Sequence, residues 1–225
     1  MNEGLIAYLP LMLKAAGTSV WLSWLAMLLG VVIGSVVGLM RRSHLVPLRW
    51  LALAYTEFWR SVPILIVMFF CFYGTPLVFG VDLSPFLAAT VALALHASAS
   101  MAEVVRAGLD SVGRGQWEAA QSAGMSPAQV MRYVVLPQAL RVALPPSTGV
   151  FITTLKESSL ASIIGYIELT KTGLLVRDAT GGGLAPLLAL GALYFVMNYV
   201  ISLAGLSLER RLHVGRREDL VGAMA

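Results

Sequence analysis

Three side chains in this sequence could do chemistry inside an apolar medium: Lys156 and Glu157, adjacent in "TTLKESSLAS", and His96 in "LHASASMAEVVRAG". Ionisable groups within an apolar span are costly and usually face a cavity or each other. Neighbouring helical residues point about 100° apart, so Lys156 and Glu157 do not pair locally, and at least one is expected to look into a helix bundle. With Ser158 they would line a polar pathway for a zwitterionic solute; the other reading is an interhelical salt bridge, or a broken helix held by Lys156. His96 suits a solute contact, a proton relay or a hydrogen-bonded packing role. Ser98 and Ser100, between Ala97 and Ala99, read first as small residues that let helices approach and second as solute contacts. Hydrolytic chemistry has little to build on. The histidines are His44, His96 and His213, there is no GxSxG stretch, and only His96 with Ser98 or Ser158 could form a nucleophile and base. We assign no catalytic residue, no bound cofactor and no metal set; the single cysteine, Cys71, sits between Phe70 and Phe72 and reads as packing.

The elements that must hold these groups are membrane spans. With 58% hydrophobic and 12% charged residues, the composition lies outside that of a soluble domain, and 225 residues leave room for five or six spans and no separate soluble domain. Residues 1–225 therefore read as one transmembrane domain of all-α class. Uncharged runs place spans at about 15–40, 61–81 and 83–102; a fourth, 142–167, carries Lys156 and Glu157; the fifth, within Ala179 to Leu208, covers about 184–208. The opening residues, with Glu3 and no early positive cluster, read as retained rather than as a signal peptide. Basic residues set the orientation. Arg41, Arg42, Arg49, Arg60, Arg106, Arg114, Arg132, Arg141, Arg210, Arg211, Arg216 and Arg217 fall on one side, against Lys14, Lys171 and Arg177 on the other. The N-terminus is expected outside and the C-terminus in the cytoplasm. That asymmetry accounts for the net charge of +4 without nucleic acid as a partner. "GSVVG", with Gly34 and Gly38 four apart, reads as close packing and is a weak signal for a subunit interface; Gly181 to Gly183 read as an outer loop.

Between the third and fourth spans lies a polar segment, about 115–141, punctuated as two helices. "GQWEAAQSAG" forms a short helix with Glu118 in its first turn and stops at Gly124. "SPAQ" restarts the chain with Ser126 as N-cap, Pro127 in the first helical position and Gln129 closing a capping box. Pro137, Pro145 and Pro146 are expected to bend the second helix toward the membrane. A two-turn helix is marginal alone and needs a surface to dock on.

The stretch "EAAQSAGMSPAQVMRYVVLP" resembles the EAA loop of permease subunits of bacterial ABC importers, with Val134 where isoleucine is commoner. "YTEFWRSVPILIVMFFCFYG", "AEVVRAGLDSVGRGQWEAA" and "LKESSLASIIGYIELT" are similar to the subfamily that imports polar amino acids and opines, with Glu157 where aspartate is common. The resemblance implies five spans, with a cytoplasmic coupling helix between the third and fourth that docks in a groove of the ATPase. Trp117, Glu118, Ala119, Ala120 and Gly124 would make that contact, Trp117 and Ala120 offering an apolar surface. It also implies two ATPase subunits carrying ATP and magnesium, a second permease subunit, identical or paralogous, an external solute-binding protein, and a site in the bacterial inner membrane. The chain contains no GxxxxGK[ST] sequence, so it cannot bind ATP in the P-loop manner, and energy must come from a partner chain or an ion gradient. The rival reading is an ion-coupled secondary transporter built on Lys156, Glu157 and His96, against which stands the lack of self-similarity between the two halves.

Overall fold

Long uncharged runs rich in leucine, valine and alanine satisfy their backbone within helices, and the computed structural model of the chain is built of helices joined by short turns, with no strand among its described residues. It describes the backbone of residues 3–222 and the side chains of residues 7–211, so the side chains of Glu3, His213, Arg216 and Arg217 lie outside the described residues. In chain order the helices are α1 (Glu3–Met40), α2 (Val46–Ser61), α3 (Ile64–Phe69) continued through a π-turn (Phe70–Gly74) into α4 (Thr75–Phe79), and α5 (Pro85–Asp110). There follow α6 (Arg114–Ser122), α7 (Pro127–Gln129), a π-turn (Val130–Val135), α8 (Leu136–Glu157), a 3₁₀ turn (Ser158–Ser162), α9 (Leu169–Ala179) and α10 (Ala185–Gly222).

Three segments are long and apolar enough to cross a membrane alone: Ala7–Met40, Pro85–Asp110 and Ala185–Arg211. The pair Val46–Ser61 and Ile64–Phe79, bent by 97°, makes a fourth if it is one broken span. The expected span 61–81 is helical over 64–79, and the break lies at its start. Val62 and Pro63 are extended, with ψ of 127° and 129°, because a residue before proline is pushed out of the helical region. The chain before the break is also helical; Glu57 and Arg60 hid it by interrupting the apolar run. The run 142–167 is likewise not one helix. α8 ends at Glu157, the backbone tightens to 3₁₀, and Gly165 turns it at φ +86°. Pro145 and Pro146 lie inside α8 without ending it, and Pro137 follows closely on the π-turn that leads into α8.

The core is the seam between α1 and α5. Gly30, Gly34 and Gly38 recur every fourth residue on α1 and meet α5 so closely that a Cβ on Gly34 would stand 2.6 Å from the Ser98 carbonyl oxygen. The small-residue pattern of "GSVVG" is thus spent on packing within the chain rather than between subunits. Leu22, Ala26, Val67, Met68, Cys71 and the alanines of α5 fill the layer above it. The apolar stretch of α10 is by contrast only partly buried within the chain, Leu190, Leu193, Tyr194 and Met197 packing on Met12, Leu169 and Val176.

Candidate functional site

The two most separated of the candidate ionisable residues come together. His96, midway along α5, places Nδ1 3.1 Å from Oε2 of Glu157 at the C-terminal end of α8, with both side chains about one-fifth exposed. Glu157 is therefore the member of the adjacent pair that looks into the bundle. Lys156 is exposed in the last turn of α8, where a cation suits the helix dipole, and makes no salt bridge among the described residues. An interhelical contact exists here, but it is a His96–Glu157 hydrogen bond rather than a pairing with Lys156. Ser158 is fully buried and its hydroxyl donates to the Leu155 carbonyl at 2.8 Å, closing the end of the helix. Ser98, also fully buried, donates to the Leu95 carbonyl and meets the Tyr55 hydroxyl, each at 2.7 Å. Its polar atoms are taken up in packing α2 onto α5. Ser100 is half-buried.

Sequence reasoning passed over Glu168. It is completely buried and caps α9, accepting from the backbone N–H groups of Thr170 and Lys171 at 2.8 Å, from the Ser19 hydroxyl at 3.1 Å and from the Tyr194 hydroxyl at 2.9 Å. Ser19 also accepts from the Leu169 N–H at 3.1 Å, so one carboxylate ties α1, α9 and α10 together. The signal was a lone acid just ahead of the polar start of "LTKTG", which a helix N-terminus favours. Glu103 pairs with Arg106 at 2.9 Å, one turn along α5, and also bonds Arg41 across from the α1 side. Glu57 and Arg60 pair at 3.8 Å, as their spacing suggests.

At the end of the molecule where Arg41, Arg42, Arg106 and Arg114 gather, α6 stands inside the expected 115–141 stretch. Gly124 adopts φ +80° just beyond it, letting the Gly124 and Met125 amides reach the carbonyls of Gln121 and Ala120, at 2.9 and 3.2 Å. The capping box closes as expected, with Gln129 N–H to Ser126 Oγ at 3.4 Å and Ser126 N–H to Gln129 Oε1 at 2.8 Å. The apolar residues of α6 pack on the chain itself. Ala120 is buried against Leu109, Val112, Val130, Val135 and Ala139, and Trp117 packs on the same cluster with its ring 5.6 Å from the Arg42 guanidinium. Spaced three apart, the two share the inner face of the helix, so they hold α6 to its own chain. The outer face presents Glu118, Ala119, Gln121 and Ser122, with Met125 after the turn.

A helical membrane chain with a short docked helix of this kind has known relatives. The family model described as binding-protein-dependent transport system inner membrane component matches residues 9–214. The probable amino-acid ABC transporter permease protein YckA of Bacillus subtilis (strain 168) is 42% identical over 160 residues, covering 71% of this chain and 70% of its own. The probable glutamine ABC transporter permease protein GlnM of the same organism is 36% identical over 181 residues, covering 80% and 83%. A crystal structure of an amino acid ABC transporter superposes with a TM-score of 0.85 at 36% identity, over 92% of this chain and 96% of that one. The chain belongs to the inner membrane components of binding-protein-dependent transport systems, the multi-pass permease subunits that work in ABC importers with ATPase and solute-binding partners.

Proposed function

We propose that this chain is one of two permease subunits of an importer for a polar amino acid or an amino-acid derivative such as an opine. It crosses the membrane five times, with α8, the 3₁₀ turn and α9 forming a broken fourth crossing and α10 the fifth. The basic residues of the α1–α2, α5–α8 and C-terminal segments face the cytoplasm. Two ATPase subunits bind and hydrolyse ATP with magnesium, and a solute-binding protein delivers the solute on the opposite side. Supporting the substrate class are the relatives named for glutamine and for amino acids generally, and the His96–Glu157 pair, which sets an imidazole and a carboxyl group side by side within the bundle.

The single observation that carries this reading is the outer face of α6. A nine-residue helix, fixed on its inner face by Trp117 and Ala120 and stopped sharply at Gly124, leaves Glu118, Ala119, Gln121 and Ser122 outward and exposed among the described residues. Ala119 admits close approach and Glu118 offers a charge to a basic or amide group. Closure of the ATPase dimer on ATP would push α6 and open the paired permeases toward the binding protein; hydrolysis would return them. Tagged chain is purified in mild detergent from its host as wild type and as Ala119→Arg, which fills the outer face without touching the inner one. An ATPase that accompanies wild type and is lost from Ala119→Arg is expected. Failure of any ATPase to accompany wild type, with proton-driven uptake by the chain alone in liposomes, would replace this reading by an ion-coupled carrier.

A further inference from the structure

α6 is joined to α5 by three residues, Ser111 to Gly113, and its inner face packs on side chains of α5 and of the segment leading into α8. It meets α1 differently. Between the end of α1 and α6 lies a cleft of about 700 Å³ whose walls include Leu39, His44, Leu109, Trp117 and Met131. Arg42, just past the end of α1, crosses it. Its guanidinium stands 5.6 Å from the centre of the Trp117 ring, and its Nε lies 3.2 Å from Oδ1 of Asp110, the last residue of α5. Asp110 in turn takes Arg106 at 2.8 Å, Arg106 takes Glu103 at 2.9 Å, and Glu103 takes Arg41, back on the α1 side. The charges alternate along this ladder, and each end is fixed to α1.

We propose that Arg42 is the positioning residue that carries movement of α6 to α1, so that both helices of the central seam move when an ATPase pushes on α6. A planar guanidinium stacks on an aromatic face and holds a carboxylate at once, which an ammonium or amide cannot do together. Without it, α6 swings on its three-residue tether while α1 and α5 both stay behind across the cleft. The glycine seam keeps those two helices moving as one, because Gly34 and Gly38 leave no room for them to slide, so the push must reach them through the Arg42 strut. Transport then fails while nucleotide chemistry on the partner chains continues. Arg42 touches neither solute nor nucleotide; its effect runs through Trp117 and Asp110.

This inference rests on the importer reading above. The experiment uses the whole complex with its ATPases and binding protein in proteoliposomes, reading ATP hydrolysis alongside uptake of the best transported among radiolabelled glutamine, arginine, histidine and cystine. Arg42→Gln and Trp117→Ala are expected to keep the ATPases bound and hydrolysing, while solute moved per ATP falls about fivefold. The double variant is expected to be no worse than either single one, because both cut the same link. Trp117→Phe, which keeps an aromatic face, recovers coupling relative to Trp117→Ala. Unchanged solute per ATP in Arg42→Gln, additive losses in the double variant, or loss of the ATPases from the Arg42→Gln complex would each overturn the proposal. Absence of ATP-driven uptake by wild type would instead overturn the importer reading.

Discussion

Adding one methyl group to Gly34 tests how the α1–α5 seam is built. An alanine Cβ there would stand 2.6 Å from the Met101 Cβ, 2.6 Å from the Ser98 carbonyl oxygen and 3.0 Å from the Ala102 nitrogen. Carbon contacts prefer about 3.5–4.0 Å, so the overlap is about 1 Å at two points. None of the three atoms can swing aside, since two belong to the backbone and the third is bonded directly to it. α1 must therefore back away from α5, and the equally close seats of Gly30 and Gly38, whose nearest atoms would lie at 2.8 Å, open with it. Overpacking of this kind costs roughly 1–3 kcal/mol. At about 2–4 °C per kcal/mol for a chain of this length, a cost near 2 kcal/mol lowers the melting temperature by about 4–8 °C. Gly17 is the internal control: it lies in the same helix with nothing within 4 Å of a Cβ, so Gly17→Ala gains up to about 1 kcal/mol of helix propensity. Thermal unfolding of the purified chain in mild detergent, followed by tryptophan fluorescence, compares both variants with wild type. Gly34→Ala melting at or above wild type would refute the seam as described.

Three further outcomes follow from the geometry. Glu168→Ala strips the acceptor from two backbone amides and two hydroxyls, and with unpaired buried donors costing about 1–3 kcal/mol each, the loss in the same unfolding assay is expected to exceed that of Gly34→Ala. Glu168→Gln keeps one acceptor oxygen and should lose about half as much; an alanine variant within about 0.5 kcal/mol of wild type contradicts the network. Glu157→Gln removes the charge facing His96 and is expected to cut uptake by about tenfold while ATPase binding persists, whereas unchanged uptake would make the pair purely structural. Ser126→Ala opens the capping box and should cost about 1 kcal/mol, seen as faster amide exchange at Gln129 with α6 unaffected.

The sequence was most readable where local chemistry decides the backbone. Gly124 and the Ser126–Gln129 box form their turn with bonds between residues no more than five apart, so spacing alone sufficed. The long uncharged runs of α1, α5 and α10 were legible for the same reason that they cross a membrane. What stayed hidden depends on partners far along the chain. Counting uncharged residues cannot see α2, because Glu57 and Arg60 lie in a helix turned 97° from the run that follows. Nor can periodicity tell which face of a nine-residue helix turns inward: Trp117 and Ala120 look like a docking surface until Leu109, Val130 and Ala139 are placed beneath them. Glu168 finds Ser19 149 residues away, and His96 finds Glu157 across 61. Those pairings are set by helix packing, which the order of residues states only indirectly.

If the chain moves its solute by power drawn from ATP on other subunits, uptake must follow ATP and not an ion gradient. Uptake of radiolabelled polar amino acids is measured in proteoliposomes holding the complete complex, with ATP and magnesium supplied on the cytoplasmic side, with and without the solute-binding protein, and with a protonophore present. Uptake is expected to require both ATP and the binding protein and to survive the protonophore. Uptake that persists without ATP and collapses with the proton gradient would contradict ATP-driven import.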